Sequence, residues 1–358
     1  MVLLAAGGTG GHLFPAEALA VALDKRGAAI ELATDPRAAQ FKFPARAVHL
    51  IPSETVRSRN PVALARTVGA LTIGTLKAWA LIGRIRPGVV VGFGGYPTVP
   101  PLMAASLRGV PTVLHEQNGV MGRANRLLAP RVTTIATSFR VLSNLDPRLQ
   151  PKIVFTGNPV RPQVIDAAAT PYATPASGPL RLVVFGGSQG AHVMAEIAPA
   201  AVERLAPDLR ARLRIVQQAR AEDIDGVRAL YAKLGVAAEC APFFADLPRR
   251  VAEAHLVISR SGASTVAELS AIGRPAILVP LPHALDQDQF ANAGVLAEAG
   301  GAIRLAQRDF TPERLAAEIT QLAADPARLM RMAQGSKSAG TIDAAERLAD
   351  LVLKVATV

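Results

Sequence analysis

Cysteine and aromatic residues are scarce in this chain of 358 residues. Cys240 is the single cysteine, so an internal disulfide is excluded. Aromatic residues make up only 4% of the chain and do not alternate with runs of Lys and Arg, which argues against a stacking platform for single-stranded nucleic acid. No zinc-finger or basic-zipper pattern is present. We therefore predict no nucleic-acid partner and a fold without covalent cross-links.

Long apolar segments are also missing from the sequence. The N-terminus, Met1-Val-Leu-Leu-Ala-Ala-Gly-Gly, lacks the basic stretch and continuous apolar core of a secretory signal peptide. The longest uncharged run, 87–107, is interrupted by prolines and glycines, and predicts a strand, a loop and the start of a helix. We therefore expect neither a signal peptide nor a membrane span.

Positive charge is abundant, because 39 Lys and Arg face 28 Asp and Glu, a net charge of +11. Such an excess favours a polyanionic partner, such as a phosphorylated substrate or an anionic lipid surface. Segment 61–86 combines both features, with the apolar residues Leu71, Ile73, Leu76, Trp79 and Ile82 among the cations Arg66, Lys77, Arg84 and Arg86. This pattern is typical of a core helix and equally of a helix in an anionic membrane interface, and both readings stay open.

The two halves of the chain follow the same pattern of strand, glycine loop and helix. In the first half, the apolar run 2–6 precedes the loop 7–12 and a helical pattern that Gly27 ends. In the second half, the run 182–185 precedes the loop 186–190 and a helix through 205. Apolar runs without alternation indicate parallel strands covered on both faces. We therefore predict two Rossmann-like α/β domains, joined near residues 157–161.

The glycine loops predict phosphate binding. Glycines allow the backbone to approach a ligand closely, and the following helix offers free N–H groups and the positive end of its dipole. Neither loop is a Walker A sequence or a complete G-x-G-x-x-G, so tight strand–helix turns remain an alternative. His12 closes the first loop at a helix start, where the dipole disfavours the imidazolium, and it is a candidate proton acceptor.

Two acidic positions are weaker candidates. Glu268 follows a Ser/Gly loop within two helical turns and could chelate a ribose diol, but the sequence alone favours an ordinary helix glutamate. Asp286-Gln-Asp288 matches the D-x-D pattern that holds a metal in some glycosyltransferases, but three-residue matches arise by chance. We predict no metal site and no cofactor.

Seven motifs in order resemble the MurG family of bacterial N-acetylglucosaminyltransferases over about residues 2 to 350. They are GGTGGH, GFGGYPTVPP, LHEQNGVMGRANR, GNPVR, GGSQGA, RSGASTVAE and the segment Gln289-Phe-Ala-Asn292. The resemblance implies a GT-B fold, in which two Rossmann-like doubly wound parallel-sheet domains face a cleft. It implies an acceptor and membrane-facing domain over 1–160, a donor-binding domain over 161–337, and a last helix within 338–358 that crosses back to the first domain.

The same resemblance implies an inverting, metal-independent transfer in peptidoglycan synthesis at the cytoplasmic face of the inner membrane. The donor is UDP-N-acetylglucosamine (UDP-GlcNAc). The acceptor is the 4-hydroxyl of the N-acetylmuramoyl unit in undecaprenyl-pyrophosphoryl-N-acetylmuramoyl-pentapeptide (lipid I), and the product is lipid II. The implied partners are these two substrates and an anionic membrane surface.

Family positions carry over residue by residue. Phe244 is expected to meet the uracil through its backbone, Ser188 the diphosphate, and Glu268 the ribose. The general base is His12 or, second, Glu116. The remaining donor positions are Thr9, Gly10, Gly11, Asn118, Arg161, Ala263, Ser264, Thr265, Val266 and Gln289, and the acceptor positions are Tyr96 and His115.

The sequence departs from the family in two places. Residues 284–288 align loosely, and the chain starts at its first strand without the short basic lead often seen, which we expect to weaken membrane contact slightly. Other GT-B transferases acting on lipid acceptors and UDP-sugar 2-epimerases share the implied fold and stay as alternatives. An NAD-dependent oxidoreductase using Asp35 is disfavoured by the incomplete glycine fingerprint.

Overall fold

A computed structural model of the chain describes residues 1–8, 10–36, 42–54, 60–187, 190–282 and 287–357. The chain divides into two compact units. Met1–Arg161 and Ile342–Val358 form one, called the N-terminal unit below, and Pro162–Thr341 form the other, the C-terminal unit.

The N-terminal unit is built on a parallel sheet. Its described strands are β1 (Val2–Ala5), β2 (Ile30–Thr34), β3 (Ala47–Leu50), β4 (Val89–Gly92), β5 (Thr112–Glu116), β6 (Thr134–Thr137) and β7 (Ile153–Phe155). They lie in the order β3-β2-β1-β4-β5-β6-β7, and every pairing is parallel. Strands β1, β4 and β5 are buried along their whole length, which explains their uninterrupted apolar sequence.

Helices cover both faces of this sheet. They are α1 (Gly10–Asp24), α2 (Pro61–Ile85), α3 (Val99–Leu107) and α4 (Arg123–Leu128), with short 3₁₀ helices at Tyr96–Thr98 and Pro147–Lys152. Helix α1 contributes Leu13, Leu19 and Leu23 to the core on one face. Helices α2, α3 and α4 pack on the opposite face. The predicted first strand and first helix are confirmed, but the helix begins at Gly10, inside the loop predicted over 7–12.

The C-terminal unit repeats this plan. Its strands are β8 (Leu180–Phe185), β9 (Leu213–Gln218), β10 (Ala237–Ala241), β11 (Leu256–Ser259), β12 (Ala276–Leu278) and β13 (Ala302–Arg304). Its helices are α5 (Pro162–Ala167), α6 (His192–Glu203), α7 (Pro207–Ala211), α8 (Ile224–Lys233), α9 (Leu247–Glu253), α10 (Ala263–Ile272), α11 (Asp288–Glu298), α12 (Pro312–Ala324) and α13 (Pro326–Ser338), with a 3₁₀ helix at Gln307–Asp309. The parallel strands lie in the order β10-β9-β8-β11-β12-β13.

In each sheet, successive strands are added first toward one edge and then toward the other, so the strand order reverses once although all strands stay parallel. The reversal lies between β1 and β4 in the N-terminal unit and between β8 and β11 in the C-terminal unit. In open α/β sheets, ligands bind outside the carboxyl ends of the strands at such a reversal, because the neighbouring loops diverge there. The topology therefore points to the loops after these four strands.

The last helix, α14 (Ala344–Ala356), belongs to the N-terminal unit although it follows the C-terminal one in sequence. Its apolar face is buried beside α1, and the predicted amphipathic helix over 343–355 is confirmed. Arg26, just after α1, forms ion pairs with Glu346 and Asp350, the second at 2.9 Å. The buried positions of α14 are Ala344, Ala345, Leu348, Ala349, Val352 and Val355.

Replacing Leu348, whose side chain is fully buried, tests how much α14 stabilises the N-terminal unit. Leu348→Ala is expected to lower the free energy of unfolding by about 2–5 kcal/mol through lost burial and a residual cavity. Trp79 is the only tryptophan and lies in this unit, so its fluorescence during urea unfolding reports on this unit. Leu353→Ala, at a half-buried position of the same helix, is the control and should cost less. Equal losses would contradict this account of the helix.

Candidate functional site

The reversal in the N-terminal unit brings a histidine next to a glycine turn. His12 is the third residue of α1, and Gly94 and Gly95 follow β4 with φ values of +81° and +71°. A Cβ atom on Gly95 would lie 3.2 Å from His12 Nε2. The glycine therefore leaves room beside the imidazole and also adopts a backbone conformation that other residues rarely take.

His12 is held by the loop that follows β5. Its Nδ1 lies 3.1 Å from Oε1 of Gln117, and Nε2 of Gln117 donates to the carbonyl oxygen of Phe93 at 3.0 Å. Burial lowers the pKa of His12, while the Phe93 carbonyl and the Gln117 side chain act in the opposite direction. The imidazole is therefore neutral at neutral pH, as a proton acceptor must be.

Glu116 ends β5 and is almost completely buried. Its Oε1 accepts hydrogen bonds from the backbone N–H of Asn118 at 2.9 Å and from its side-chain amide at 3.4 Å. Its Oε2 accepts from the backbone N–H of Gly122 at 2.9 Å and from Asn125 Nδ2 at 2.7 Å. Burial raises the pKa of Glu116 and these bonds lower it. The carboxyl group thus organises the loop from Gln117 to Asn125.

His115 points to the other side of β5, because side chains alternate along a strand. Its ring is fully buried, 5.5 Å from the ring of Phe93, and its Nε2 lies 3.1 Å from the carbonyl oxygen of Gly157. Burial lowers the pKa of His115 to about 4. This histidine is therefore neutral and packed inside the N-terminal unit, where its assignment to the acceptor stays a prediction.

Other predicted residues of the N-terminal unit lie around these loops. The guanidinium of Arg161 stacks over the ring of Phe14, 4.2 Å from its centroid. Arg161 also acts electrostatically on Glu17, lowering a carboxyl pKa that burial raises. Gly10 and Gly11 form the first turn of α1, and Tyr96 and Asn118 are half-buried at the ends of β4 and β5. Thr9 lies outside the described residues.

In the C-terminal unit, a glutamine links two loops at the sheet edge. The backbone N–H of Gly186, after β8, donates to Gln218 Oε1 at 3.1 Å. Nε2 of the same Gln218 donates to the carbonyl oxygen of Pro242, after β10, at 3.1 Å. The loop expected to meet the diphosphate is therefore tied to the segment before Phe244, expected to meet the uracil. Ser188 lies outside the described residues.

Aromatic and cationic side chains lie beside these loops. Phe244 is buried, with the guanidinium of Arg250 stacked 4.5 Å from its ring centroid, whereas the ring of Phe243 is 71% exposed. Arg220 Nη2 donates to the carbonyl oxygen of Gly190 at 3.3 Å. A Cβ on Gly190 would lie 3.0 Å from Arg220 Cγ, so this glycine makes the close approach possible.

Helix α10 begins directly after β11, with Gly262 as its N-cap. Its first residues are Ala263, Ser264, Thr265 and Val266, the last of which donates its backbone N–H to the carbonyl oxygen of Gly262 at 3.0 Å, and Glu268 follows within two turns. The loop before α11 is tied to this helix start, because Ser261 Oγ donates to the carbonyl oxygen of Gln289 at 2.8 Å. Gln289 Oε1 also accepts from the backbone N–H of Leu281 at 3.1 Å.

Metal-ligating side chains do not cluster in the described residues. No group of three or more His, Cys, Asp or Glu in those parts of the chain is arranged to hold a metal ion. Asp288 is the first residue of α11, and its Oδ1 accepts a hydrogen bond from the backbone N–H of Gln289 at 2.9 Å. Asp286 lies outside the described residues.

Sequence reasoning missed three residues of these sites. Gln117 lies inside the HEQN segment but was not assigned a role, because its contact with His12 spans 105 positions. Gln218 follows no motif and is identified only by its two hydrogen bonds. Phe243 precedes the assigned Phe244, and a sequence does not tell which of two adjacent rings is exposed.

The fold and the two loop clusters, one at the carboxyl ends of β1, β4 and β5 and one at those of β8, β10 and β11, define a two-domain glycosyltransferase. The family comparisons agree. Residues 2–137 match the glycosyltransferase family 28 N-terminal domain, and residues 181–348 match the family 28 C-terminal domain. The UDP-N-acetylglucosamine–N-acetylmuramyl-(pentapeptide) pyrophosphoryl-undecaprenol N-acetylglucosamine transferase of Rhodopseudomonas palustris (strain BisB18) is 62% identical over 359 residues, covering 99% of this chain and 96% of that protein. The transferase of the same name from Nitrobacter hamburgensis is 59% identical over 99% of this chain and 97% of that protein.

Solved structures give the same result. A crystal structure of Acinetobacter baumannii MurG superposes with a TM-score of 0.78 at 29% identity and covers 99% of both chains. The UDP-GlcNAc 2-epimerase of Neisseria meningitidis has a TM-score of 0.67 at 14% identity over 99% of this chain and 100% of that one, which shows a shared fold only. The chain belongs to the MurG family of N-acetylglucosamine transferases.

Proposed function

We propose that this protein transfers N-acetylglucosamine from UDP-GlcNAc to the 4-hydroxyl of the N-acetylmuramoyl unit of lipid I, with inversion at the anomeric carbon, and so forms lipid II. The identity of about 60% to transferases named for this reaction, over nearly the whole chain, is the observation that carries the proposal. The two loop clusters support it, because they offer a proton acceptor in one unit and a nucleotide site in the other.

The donor is assigned to the C-terminal unit. The first turn of α10 lies at the positive end of a helix dipole, which stabilises a diphosphate and the charge that grows on UDP as it leaves. Glu268 is proposed to hold the ribose diol, and the exposed ring of Phe243 extends the apolar surface beside the uracil site. Ser188, Thr9, Gly10, Gly11, Asn118, Arg161 and Gln289 remain predicted donor contacts.

The base is assigned to His12 in preference to Glu116. Both oxygens of the Glu116 carboxylate are already engaged by backbone and amide N–H groups, and accepting a proton would break at least one of these bonds. His12 has one nitrogen, Nε2, beside Gly95, where no side chain covers it. Tyr96 and His115 remain predicted contacts of the acceptor.

The first test measures UDP release from UDP-GlcNAc in EDTA, with and without a lipid I analogue. Release that requires the analogue and persists in EDTA is the expected result, because amide groups rather than a metal stabilise the leaving diphosphate. An epimerase of the same fold would not need the analogue. Release without acceptor, or only after Mg²⁺ is restored, would contradict the proposed reaction.

Two single substitutions separate the roles of the two units. His12→Ala is expected to lower kcat by about 10² to 10⁴-fold, since it removes the base. Glu268→Ala is expected mainly to raise the KM for UDP-GlcNAc, by about tenfold or more for a lost charged hydrogen bond. Steady-state kinetics with both substrates varied distinguish these outcomes, with Glu196→Ala in α6 as a glutamate control. A His12→Ala enzyme with wild-type kcat would remove His12 from the chemistry.

A membrane surface is the proposed partner of α2. Within the described residues one segment, Ala65–Ile85, is long and apolar enough to cross a membrane by length and composition, and 22% of its apolar window is buried in the structure. Its inner side carries Ala78, Leu81 and Ile82 in the core against α3. Because those residues stabilise the N-terminal unit, we propose that the helix lies on the membrane rather than across it.

The outer side of α2 has the composition of a membrane-binding surface. Ile73, Leu76 and Trp79 are between 46% and 64% exposed, and Leu107 at the end of α3 is 69% exposed. The exposed cations Lys77, Arg84 and Arg86 follow along the same segment, and Arg108 stacks over the Trp79 ring at 3.6 Å. Apolar side chains with flanking cations bind anionic interfaces. The proposed location is the cytoplasmic face of the bacterial inner membrane, as a peripheral protein.

Vesicle sedimentation tests this surface. The double variant Leu76→Ser, Trp79→Ser is expected to weaken binding to phosphatidylglycerol-containing vesicles by about tenfold or more, through lost burial of two large apolar side chains. Its kcat with a water-soluble acceptor analogue should stay unchanged. Ile165→Ser, at an exposed apolar position of the C-terminal unit, is the control and should bind as wild type does. Full binding by the double variant would exclude this surface.

A further inference from the structure

We propose that Gln117 is a positioning residue for the transfer, and that its amide holds His12 in the tautomer whose Nε2 is free to accept a proton. The inference rests on the proposed function, in which His12 is the base. It concerns a residue that touches neither of the reacting atoms and acts through the imidazole.

The backbone fixes which way the Gln117 amide points. The carbonyl oxygen of Phe93, 3.0 Å from the amide, can only accept a hydrogen bond, so the NH₂ group must face it. Phe93 is itself held at the end of β4, because its N–H donates to the carbonyl oxygen of Ala5 at 2.9 Å. The amide oxygen is therefore the atom that faces His12, 3.1 Å from Nδ1.

The direction of the amide fixes the tautomer of the histidine. An amide oxygen has no proton to give, so Nδ1 must donate, and a neutral imidazole carries only one N–H. Nε2 therefore holds the lone pair. This nitrogen lies beside Gly95, where a Cβ atom would approach it to 3.2 Å, so the glycine keeps a side chain away from it.

The titratable groups near His12 interact with residues other than His12. Glu116 bonds to Asn118, Gly122 and Asn125, and His115 to the carbonyl oxygen of Gly157. On α1, Glu17 interacts electrostatically with Arg161. Tyr96 is the titratable group of the segment after β4.

Gln117 therefore orients the imidazole without adding negative charge. A carboxylate in its place would stabilise the imidazolium and reduce the fraction of enzyme with a free base near neutral pH.

The proposed step balances around this arrangement. The acceptor oxygen forms a bond to the anomeric carbon, the bond from that carbon to the diphosphate breaks, and its electron pair leaves with UDP. The hydroxyl proton moves to Nε2 of His12. The imidazolium that results keeps its Nδ1–H on the Gln117 oxygen, so neither side chain has to turn during the reaction.

The tautomer can be measured without any substrate. In ¹⁵N-histidine-labelled protein, the resonances lost in His12→Gln identify His12, and its nitrogen shifts show which nitrogen carries the proton. The wild type is expected to show Nδ1–H, and Gln117→Leu a mixture of both tautomers. An Nε2–H form in the wild type, or an unchanged tautomer in Gln117→Leu, overturns the inference. This readout stands even if acceptor-dependent UDP release fails, so the two proposals fail separately.

Kinetics test whether the tautomer matters. Gln117→Leu is expected to lower kcat on the order of tenfold or more, with the KM for UDP-GlcNAc changed less than about twofold. In the His12→Ala background the same substitution should add no further loss, because Gln117 acts through His12. Equal losses in both backgrounds overturn the inference.

Gln117→Glu separates positioning from a structural role. It restores an oxygen toward Nδ1 and adds charge, so the acidic limb of the kcat profile should move to higher pH. Gln217→Leu is the matched control, since Gln217 is a fully buried glutamine bonded to the carbonyl oxygen of Met194 and the hydroxyl of Tyr231. It should lower stability and leave the acidic limb in place. An acidic limb that stays in place for Gln117→Glu, or that moves equally in Gln217→Leu, overturns the inference.

Discussion

Parallel pairing of buried strands is the constraint on which the rest of this structure depends. Because every strand in a described sheet runs the same way, all carboxyl ends in one unit lie at one edge. The residues after β1, β4 and β5 are far apart in sequence, yet they must meet there. His12, Gly95 and Gln117 are the three residues that meet in the N-terminal unit.

A short series of hydrogen bonds then connects the backbone of the sheet to the imidazole of His12. The pairing of β1 with β4 places the Phe93 N–H on Ala5, and the Phe93 carbonyl orients the Gln117 amide. That amide fixes the proton on His12. Two adjacent residues at the end of β5 have different partners. Glu116 hydrogen-bonds to the loop that follows, and Gln117 hydrogen-bonds to His12. Burial lowers the pKa of His12, and a neutral amide opposes this lowering less than a carboxylate would.

Local sequence patterns predicted the fold well, for physical reasons. Uninterrupted apolar runs arise because β1, β4, β5 and β11 are buried on both faces, and each glycine loop marks a strand-to-helix turn. The amphipathic pattern of the final helix predicted α14. The candidate residues His12 and Glu116 were also identifiable, since His12 lies in the first turn of α1 and Glu116 ends β5. Their different roles were not, because the hydrogen bonds that distinguish them depend on which partners the fold brings together.

Helix α2 is a second case in which the sequence alone was not enough to predict the packing. Its sequence gives the apolar positions but not the side that packs on α3. The structure buries Ala78, Leu81 and Ile82, as a core helix requires, and leaves Leu76 and Trp79 exposed on the side of the proposed membrane contact.

Helices α2 and α14 cover opposite faces of one sheet, and the difference between their outer sides supports the proposed membrane contact of α2. The large apolar residues of α14 are buried or half-buried, and its outer side is charged at Arg347, Asp350 and Lys354. Helix α2 has more apolar side chains than α3 and the sheet can bury. Each large exposed one contributes on the order of 1 kcal/mol on leaving water, and each flanking cation about 1 kcal/mol at an anionic surface. A few such contributions hold a protein reversibly at a membrane, which suits an enzyme whose donor is a soluble nucleotide and whose proposed acceptor is a lipid.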